Sequence, residues 1–223
     1  MAKRNEATRG RLSREAIIVS AVTLADAEGL EAVTIRRLAQ EHGVTPMAMY
    51  WHFNDKESLL DGLADHLIEA VKVPEPSDAD WDEQLREILL AFLTVMRPHP
   101  ALAGLALHRI LSADAGLLIA ERVLGLLRQA GYSAGRAAEV GTFLICAIIT
   151  LANTDPAGVP QLTGEALEQV FRNKRARLES LPPSRYPNVI AAAPTLVSCR
   201  ETDDFFDLNL DLLVNGVRGL PRG

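Results

Sequence analysis

VTPMAMYWHFNDKESLL, residues 44–60, is the stretch that decides the fold. Thr45 stands before Pro46: a side-chain oxygen at a helix N-cap, then a ring whose missing N–H costs nothing at the first helical position. The helix that starts there is short, because Asp55 opens the next one, and its residues sort onto two faces. Met49 and Phe53, four apart, point back toward the preceding helices. Thr45, Pro46, Met47, Ala48, Tyr50, Trp51 and His52 are left facing outward, a surface too apolar and aromatic to stand in water without a partner.

Working backward, Ser13 caps a first helix with Glu15 in its first turn. Ile17, Ala21, Leu24 and Ala25 recur on one face until Gly29 stops it. Thr34 caps a second helix over 35–42 that buries Ile35, Leu38 and Ala39 and ends at Gly43. Two helices of about eight and seven residues joined at Gly43-Val44 have the proportions of a helix-turn-helix, whose second helix enters the DNA major groove by its N-terminal end. Tyr and Trp can pack on sugar and thymine methyls while their polar atoms, with His52, bond phosphates. Lys56 falls in the first turn of the following helix, where the dipole disfavours a cation, and so points to an external anion.

Composition is compatible with that reading once charge is read by position. The formal net charge is −6, yet residues 1–14 hold Lys3, Arg4, Arg9, Arg11 and Arg14 against Glu6 alone. A basic arm on an acidic body can dock on a phosphate backbone. No apolar run follows the charged first residues, so no secretory signal is read and a cytoplasmic protein is expected. The stretch Val140 to Ala152 is too short for a bilayer and is expected as a buried helix, with no membrane partner. Cys146 and Cys199 have neither metal-ligand nor redox spacing and are expected as free thiols. No paired carboxylates, nucleophile with base or ligand-spaced His/Glu set appears, so neither enzyme, metal site nor cofactor is expected.

The chain is expected to be all-α throughout. After a helix from Asp55 through Ile68, the prolines and acids of VKVPEPSDAD (71–80) mark the boundary between an N-terminal three-helix helix-turn-helix domain and a C-terminal helical domain. Helical spacing or composition continues over 81–96, 101–111, 116–130, 134–153, 164–178 and 203–217, and no segment alternates with period two. Residues 181–199, with four prolines, are expected as a loop. In the last helix Phe206, Leu210, Leu213 and Val217 form one stripe and Phe205, Leu208 and Leu212 a second. The surplus stripe, with the apolar helix 134–153, predicts a four-helix homodimer interface. A two-fold dimer presents recognition helices about 34–36 Å apart, one DNA turn, and reads a palindrome.

The run VTIRRLAQEHGVTPMAMYWHFNDKESLLDGLADHL (33–67) resembles the TetR (tetracycline repressor-like) family of transcriptional regulators. LPPSRYP (181–187) and FFDLNLDLLVNGVRGL (205–220) are similar to the class that includes the tetracycline repressor. The resemblance implies a basic arm (1–12), a DNA-binding domain (13–55), a connecting helix (56–73) and an effector-binding and dimerisation domain (81–223). It implies double-stranded DNA, a second copy and a small-molecule effector as partners. Thr34, Tyr50, His52 and Lys56 look like backbone contacts, while Arg36, Pro46, Met47, Ala48 and Trp51 fall where the family meets bases or sugar edges. Arg36 is the one residue of that set able to fork onto guanine, worth roughly 1–3 kcal/mol of discrimination.

For the effector, apolar candidates are Leu63, Leu67, Leu89, Phe92, Leu93, Met96, Leu107, Val123, Leu127, Phe143 and Ile148. The polar candidates are His66, His108, Arg109, Asn153 and Asp155. His108 falls about where the family's tetracycline-binding members carry a metal-binding histidine. Lys72 and Thr154-Asp155 depart from those members' drug-contacting residues, so a mainly hydrophobic ligand is expected. A helical partner-binding or scaffold protein is the alternative; duplex binding that falls steeply with salt separates the two.

Overall fold

The computed structural model describes residues 12–154, 164–197 and 202–222, and among them every long element is a helix, as expected. In chain order these are α1 (Arg14–Glu28), α2 (Ile35–Glu41), α3 (Pro46–Tyr50), α4 (Lys56–Glu69), α5 (Trp81–Met96), α6 (Pro100–Arg109), α7 (Asp114–Gln129), α8 (Ala134–Ala152), α9 (Gly164–Glu179), α10 (Pro187–Val197) and α11 (Thr202–Arg218). A 3-10 turn, Leu30–Ala32, joins α1 to the Thr34 cap. Residues 1–11 of the basic arm, Asp155 and Cys199 lie outside the described residues.

The caps are where the side chains place them. Ser13 accepts from Ala16 N at 3.1 Å, Thr34 from Arg37 N at 3.2 Å and Thr45 from Ala48 N at 3.4 Å. Asp55 and Ser58 form a reciprocal capping box at the start of α4, each side chain satisfying the other's backbone N–H. Hydrogen bonds from Ser58 hold the Asp55 carboxyl below its ordinary range, the larger effect coming from the Ser58 backbone N–H. Gly29 and Gly43 end or turn the chain at φ 86° and 64°, where a side chain would be strained.

The described residues fall into two compact units, one running through Asn153 and rejoined by Pro221, the other from Thr154 to Leu220. In the first, α4 packs on α1, α6 and α7, while α5, α7 and α8 pack on one another and α6 lies on α8. Its core includes Leu63, Leu85, Ile88, Met96, Ala103, Leu127 and Ile148, all fully buried. The 71–80 segment lies within this unit and is tied to α5: Gln84, itself buried, donates Nε2–H to the carbonyls of Ser77 (3.1 Å) and Ala79 (2.7 Å) and accepts from Ser77 N (3.4 Å).

Three expectations are corrected. Residues 187–197 of the expected loop form α10, which packs on α9. Pro182 and Pro183 sit in the preceding turn and Pro187 opens the helix, so Pro194 alone interrupts it. In α8 only Ala137, Val140, Leu144, Ile148, Ile149 and Ala152 are buried, while Phe143 and Cys146 face outward. That helix is apolar on more faces than one packing surface can cover. By length and composition alone it could cross a bilayer, but its packing on α5, α6 and α7 is that of a core helix with one open side. In α11 the buried stripe is Phe206, Leu210, Val214 and Val217, with Leu208 and Leu212 exposed; Leu213 lies between the two. Steps of four, four and three through Val214 and of four, three and four through Leu213 average the same 3.67 residues, so the helical period alone does not choose between them.

Candidate functional site

The outward surface begins with what holds it. Met49 is 0% exposed and Phe53 1%, both sunk into the core of the helix-turn-helix, while Trp51 is 87% exposed, Met47 69% and Tyr50 47%. A helix of one and a half turns cannot turn all its residues inward, and here the division falls cleanly on two faces. α3 is shorter than expected: it ends at Tyr50, because the N–H groups of His52 and Phe53 both close on the Met49 carbonyl and Asp55 is already extended to cap α4. Thr45 and Pro46 are exposed, and Ala48 and His52 border the same surface beside Tyr50 and Trp51.

The support extends to α1 and α4. The Arg14 guanidinium lies 4.7 Å from the centre of the Phe53 ring, and α4 comes close because Gly62 has no side chain. A Cβ there would sit 3.1 Å from both Arg14 Nη2 and Phe53 Cε1. Thr34, half-buried, accepts from its own helix and keeps its hydroxyl hydrogen to donate outward. Arg36 and Lys56 are exposed and engaged in no ion pair among the described residues. Their neighbour Arg37 is different: it bridges Glu28 (2.8 Å) and Glu41 (3.0 Å), and the Glu41 hydrogen bond, then the Glu28 charge, raise its pKa. Sequence reasoning did not single out Arg37. Its role is to tie α2 to the end of α1.

A second feature lies in the C-terminal part of the same unit. A cavity of about 160 Å³ opens among α5, α7, α8 and the α6–α7 connection, lined by Ile88, Leu89, Phe92, Ile110, Leu111, Ile119, Val123, Leu124, Thr142, Ile145 and Ile148 with Ala120, Ala138, Gly141 and Leu144. Thr142 supplies the hydroxyl, already donated to the Ala138 carbonyl at 2.8 Å. Dry cavities of about this volume lined by Leu, Ile and Phe take up benzene-sized molecules. Among the effector candidates, Phe92 lines the cavity. Leu63, Leu67, Met96 and Leu127 are buried elsewhere in the core, His66 is half-buried on α4, and His108 and Phe143 are exposed. Leu89, Val123 and Ile148, also candidates, line it. Arg109 is held by carboxylates of α4, and Asn153 donates to the Ile149 carbonyl.

Comparison with known proteins places these features in a family. The N-terminal family model, bacterial regulatory proteins of the tetR family, matches residues 17–63, and that of the tetracyclin repressor-like C-terminal domain matches 73–220. The tetracycline repressor protein class C of Escherichia coli is 34% identical over 173 residues, covering 70% of this chain and 75% of that protein. The HTH-type transcriptional repressor DrrR1 of Streptomyces coeruleorubidus is 31% identical over 121 residues, covering 54% of this chain and 45% of that one. Among solved structures, Streptomyces coelicolor ActR in complex with actinorhodin superposes with a TM-score of 0.77 at 30% identity, covering 95% of this chain and all of that one.

Proposed function

The chain belongs to the TetR family of bacterial transcriptional regulators, and on that premise we propose that it is a homodimeric repressor that binds a palindromic operator and is released by a small, mainly apolar effector. The observation that carries the DNA-binding half is the exposure of Met47, Tyr50 and Trp51 on a helix anchored by Met49 and Phe53. Met47, Ala48 and Pro46 read methyl groups and groove shape, Trp51 and Tyr50 pack on sugar edges, Arg36 forks onto guanine, and Thr34, His52 and Lys56 hold phosphates. With one forked contact per half-site, specificity leans on two-fold symmetry. Residues 13–55 then form the DNA-binding part, 56–73 the connecting helix and 81–223 the effector-binding and dimerisation part, with the open side of α8 and the Leu208–Leu212 stripe of α11 meeting their copies.

The apolar cavity supports an uncharged ligand: neither a cation nor a metal-ligand cluster lines it among the described residues. ActR's complex with actinorhodin supports a small-molecule effector of organic character. Ligand acts by population shift, favouring a protomer arrangement whose recognition helices no longer fit successive grooves. DNA and ligand oppose each other reciprocally, with coupling typically of about 1–3 kcal/mol. Catalysis is not part of this reading, and the protein works in the cytoplasm.

Selection of duplexes from a random library by the purified protein is the test. Enrichment of a two-fold symmetric site is the expected result; no enrichment together with no salt-sensitive binding would transfer the aromatic surface to a protein partner. A panel of apolar and aromatic compounds that neither shifts the melting temperature nor releases the selected site would remove the effector assignment.

A further inference from the structure

The apolar cavity is closed to hydrogen bonding over almost all of its wall. Its helical lining runs from Ile88 to Phe92 on α5, from Ile119 to Leu124 on α7 and from Ala138 to Ile148 on α8, and every lining residue stands after the first turn and before the last turn of its helix. Their backbone N–H and C=O groups are therefore spent within the helices. Ile110, in the α6–α7 connection, donates its N–H to the Ala106 carbonyl at 2.9 Å and turns its own carbonyl toward Gly116, so close that a Cβ there would clash with it. Among the lining residues Thr142 alone has a polar side chain.

That hydroxyl is committed in one direction. Thr142 donates its hydrogen to the Ala138 carbonyl, one turn back, at 2.8 Å, which leaves the lone pairs of Oγ1 as acceptors. A hydroxyl bonded back in this way offers nothing to an acceptor on a ligand unless the bond to Ala138 breaks. Its place in the wall adds a polarity. Of the lining residues Leu111, Ala138 and Thr142 are exposed, whereas Ile88, Phe92, Ile110, Leu144 and Ile148 are buried. The acceptor stands at the mouth, and the depth is hydrocarbon.

We propose that the cavity selects a neutral ligand with a hydrogen-bond donor at one end: a hydrocarbon body held inside, and a hydroxyl or N–H at the mouth that donates to Thr142 Oγ1. Thr142 is in this scheme a specificity-determining residue. A ketone or ether at that end loses its water and meets no free donor, and a carboxylate or ammonium loses far more. A ligand with no polar group enters but gains nothing at the mouth. The inference deepens the apolar-effector reading and rests on it, and the two fail differently.

The test measures, by calorimetry on the full-length protein, the binding of para-cresol, toluene and para-methylanisole, which share a body and carry a donor, no polar group and an acceptor alone. The proteins are wild type, Thr142→Ser, Thr142→Val, Thr142→Ala and Ala138→Trp, the last filling the mouth, each checked for helicity and melting temperature. Ratios of affinity between compounds, compared across variants, cancel the transfer of the shared body. The expected result is a preference for para-cresol over para-methylanisole that falls by about three- to tenfold in Thr142→Val and Thr142→Ala and persists in Thr142→Ser. Toluene affinity should stay nearly unchanged in Thr142→Val, and Ala138→Trp should abolish binding of all three. A preference that Thr142→Val and Thr142→Ala both leave intact overturns the inference and spares the apolar effector. Undiminished binding to folded Ala138→Trp overturns it too, since the compounds then sit elsewhere. If none of the three binds wild type, the apolar-effector reading itself falls.

Discussion

The two functional regions of this protein are built from the same kind of residue put to opposite uses. At α3 large apolar and aromatic side chains are turned outward from a small core; among α5, α7 and α8 they are turned inward around a space they do not fill. A side chain of the first kind contributes little to folding and much to binding. One of the second kind contributes to both, because the wall of the cavity is also the core of the domain.

Substitutions can break that contrast or sharpen it. Ile148→Ala, in the cavity wall and fully buried, should destabilise the fold by about 2–5 kcal/mol while enlarging the ligand space, read by urea denaturation and by the size of apolar compound accepted. Trp51→Ala should do the reverse. Operator affinity should fall by about 1–3 kcal/mol, while a side chain 87% exposed leaves stability within about 0.5 kcal/mol of wild type. If Trp51→Ala unfolds the protein, or Ile148→Ala does not weaken it, the two regions are not the opposites described. Lys56→Ala should weaken operator and nonspecific duplex alike and lower the salt slope of binding by about one for each phosphate the ammonium no longer neutralises, whereas Arg36→Ala should relax preference at one base pair of each half-site.

The smallest effect is at the α4 cap. The Asp55 carboxyl is held below its usual range, so the unfolded chain binds its proton first as pH falls. The stabilisation is complete above the ordinary carboxylate pKa of about 3.9 and disappears as pH drops through the lower folded value. Asp55→Asn should therefore flatten the acid end of the stability profile below about pH 4, measured by denaturant titration, and leave neutral operator binding nearly unchanged.

How far the sequence tells these regions apart follows from their construction. α3 is one short segment between a Thr-Pro start and the Asp55 cap, so its period assigns Met49 and Phe53 inward and leaves Trp51 outward. Every contributor lies within one turn of the next. The cavity draws on residues 88 to 148 from three helices and a connection, and nothing local separates a wall residue such as Ile88 from a core residue such as Leu127. Both are buried aliphatics at helical spacing. Leu63, Leu67 and Met96 are plausible wall residues for that reason, yet sit in solid core. The link from Arg109 to Asp61 and Asp65 is equally invisible, since it joins residues more than forty positions apart. The helix over 187–197 is obscured when prolines are counted without asking which of them stand at a helix start.

The segment between the connecting helix and the body illustrates how composition misleads about mechanics. VKVPEPSDAD has the make-up of a loose tether, which would let the two ends of the unit swing and would invite proteases. Gln84 splints it: one buried amide, held by three bonds to the backbone of residues 77 and 79, removes the freedom that two prolines and a run of acids suggest. The crossing from α4 to α5 is thus pinned at residues 77 and 79 to the first turn of the helix it leads into.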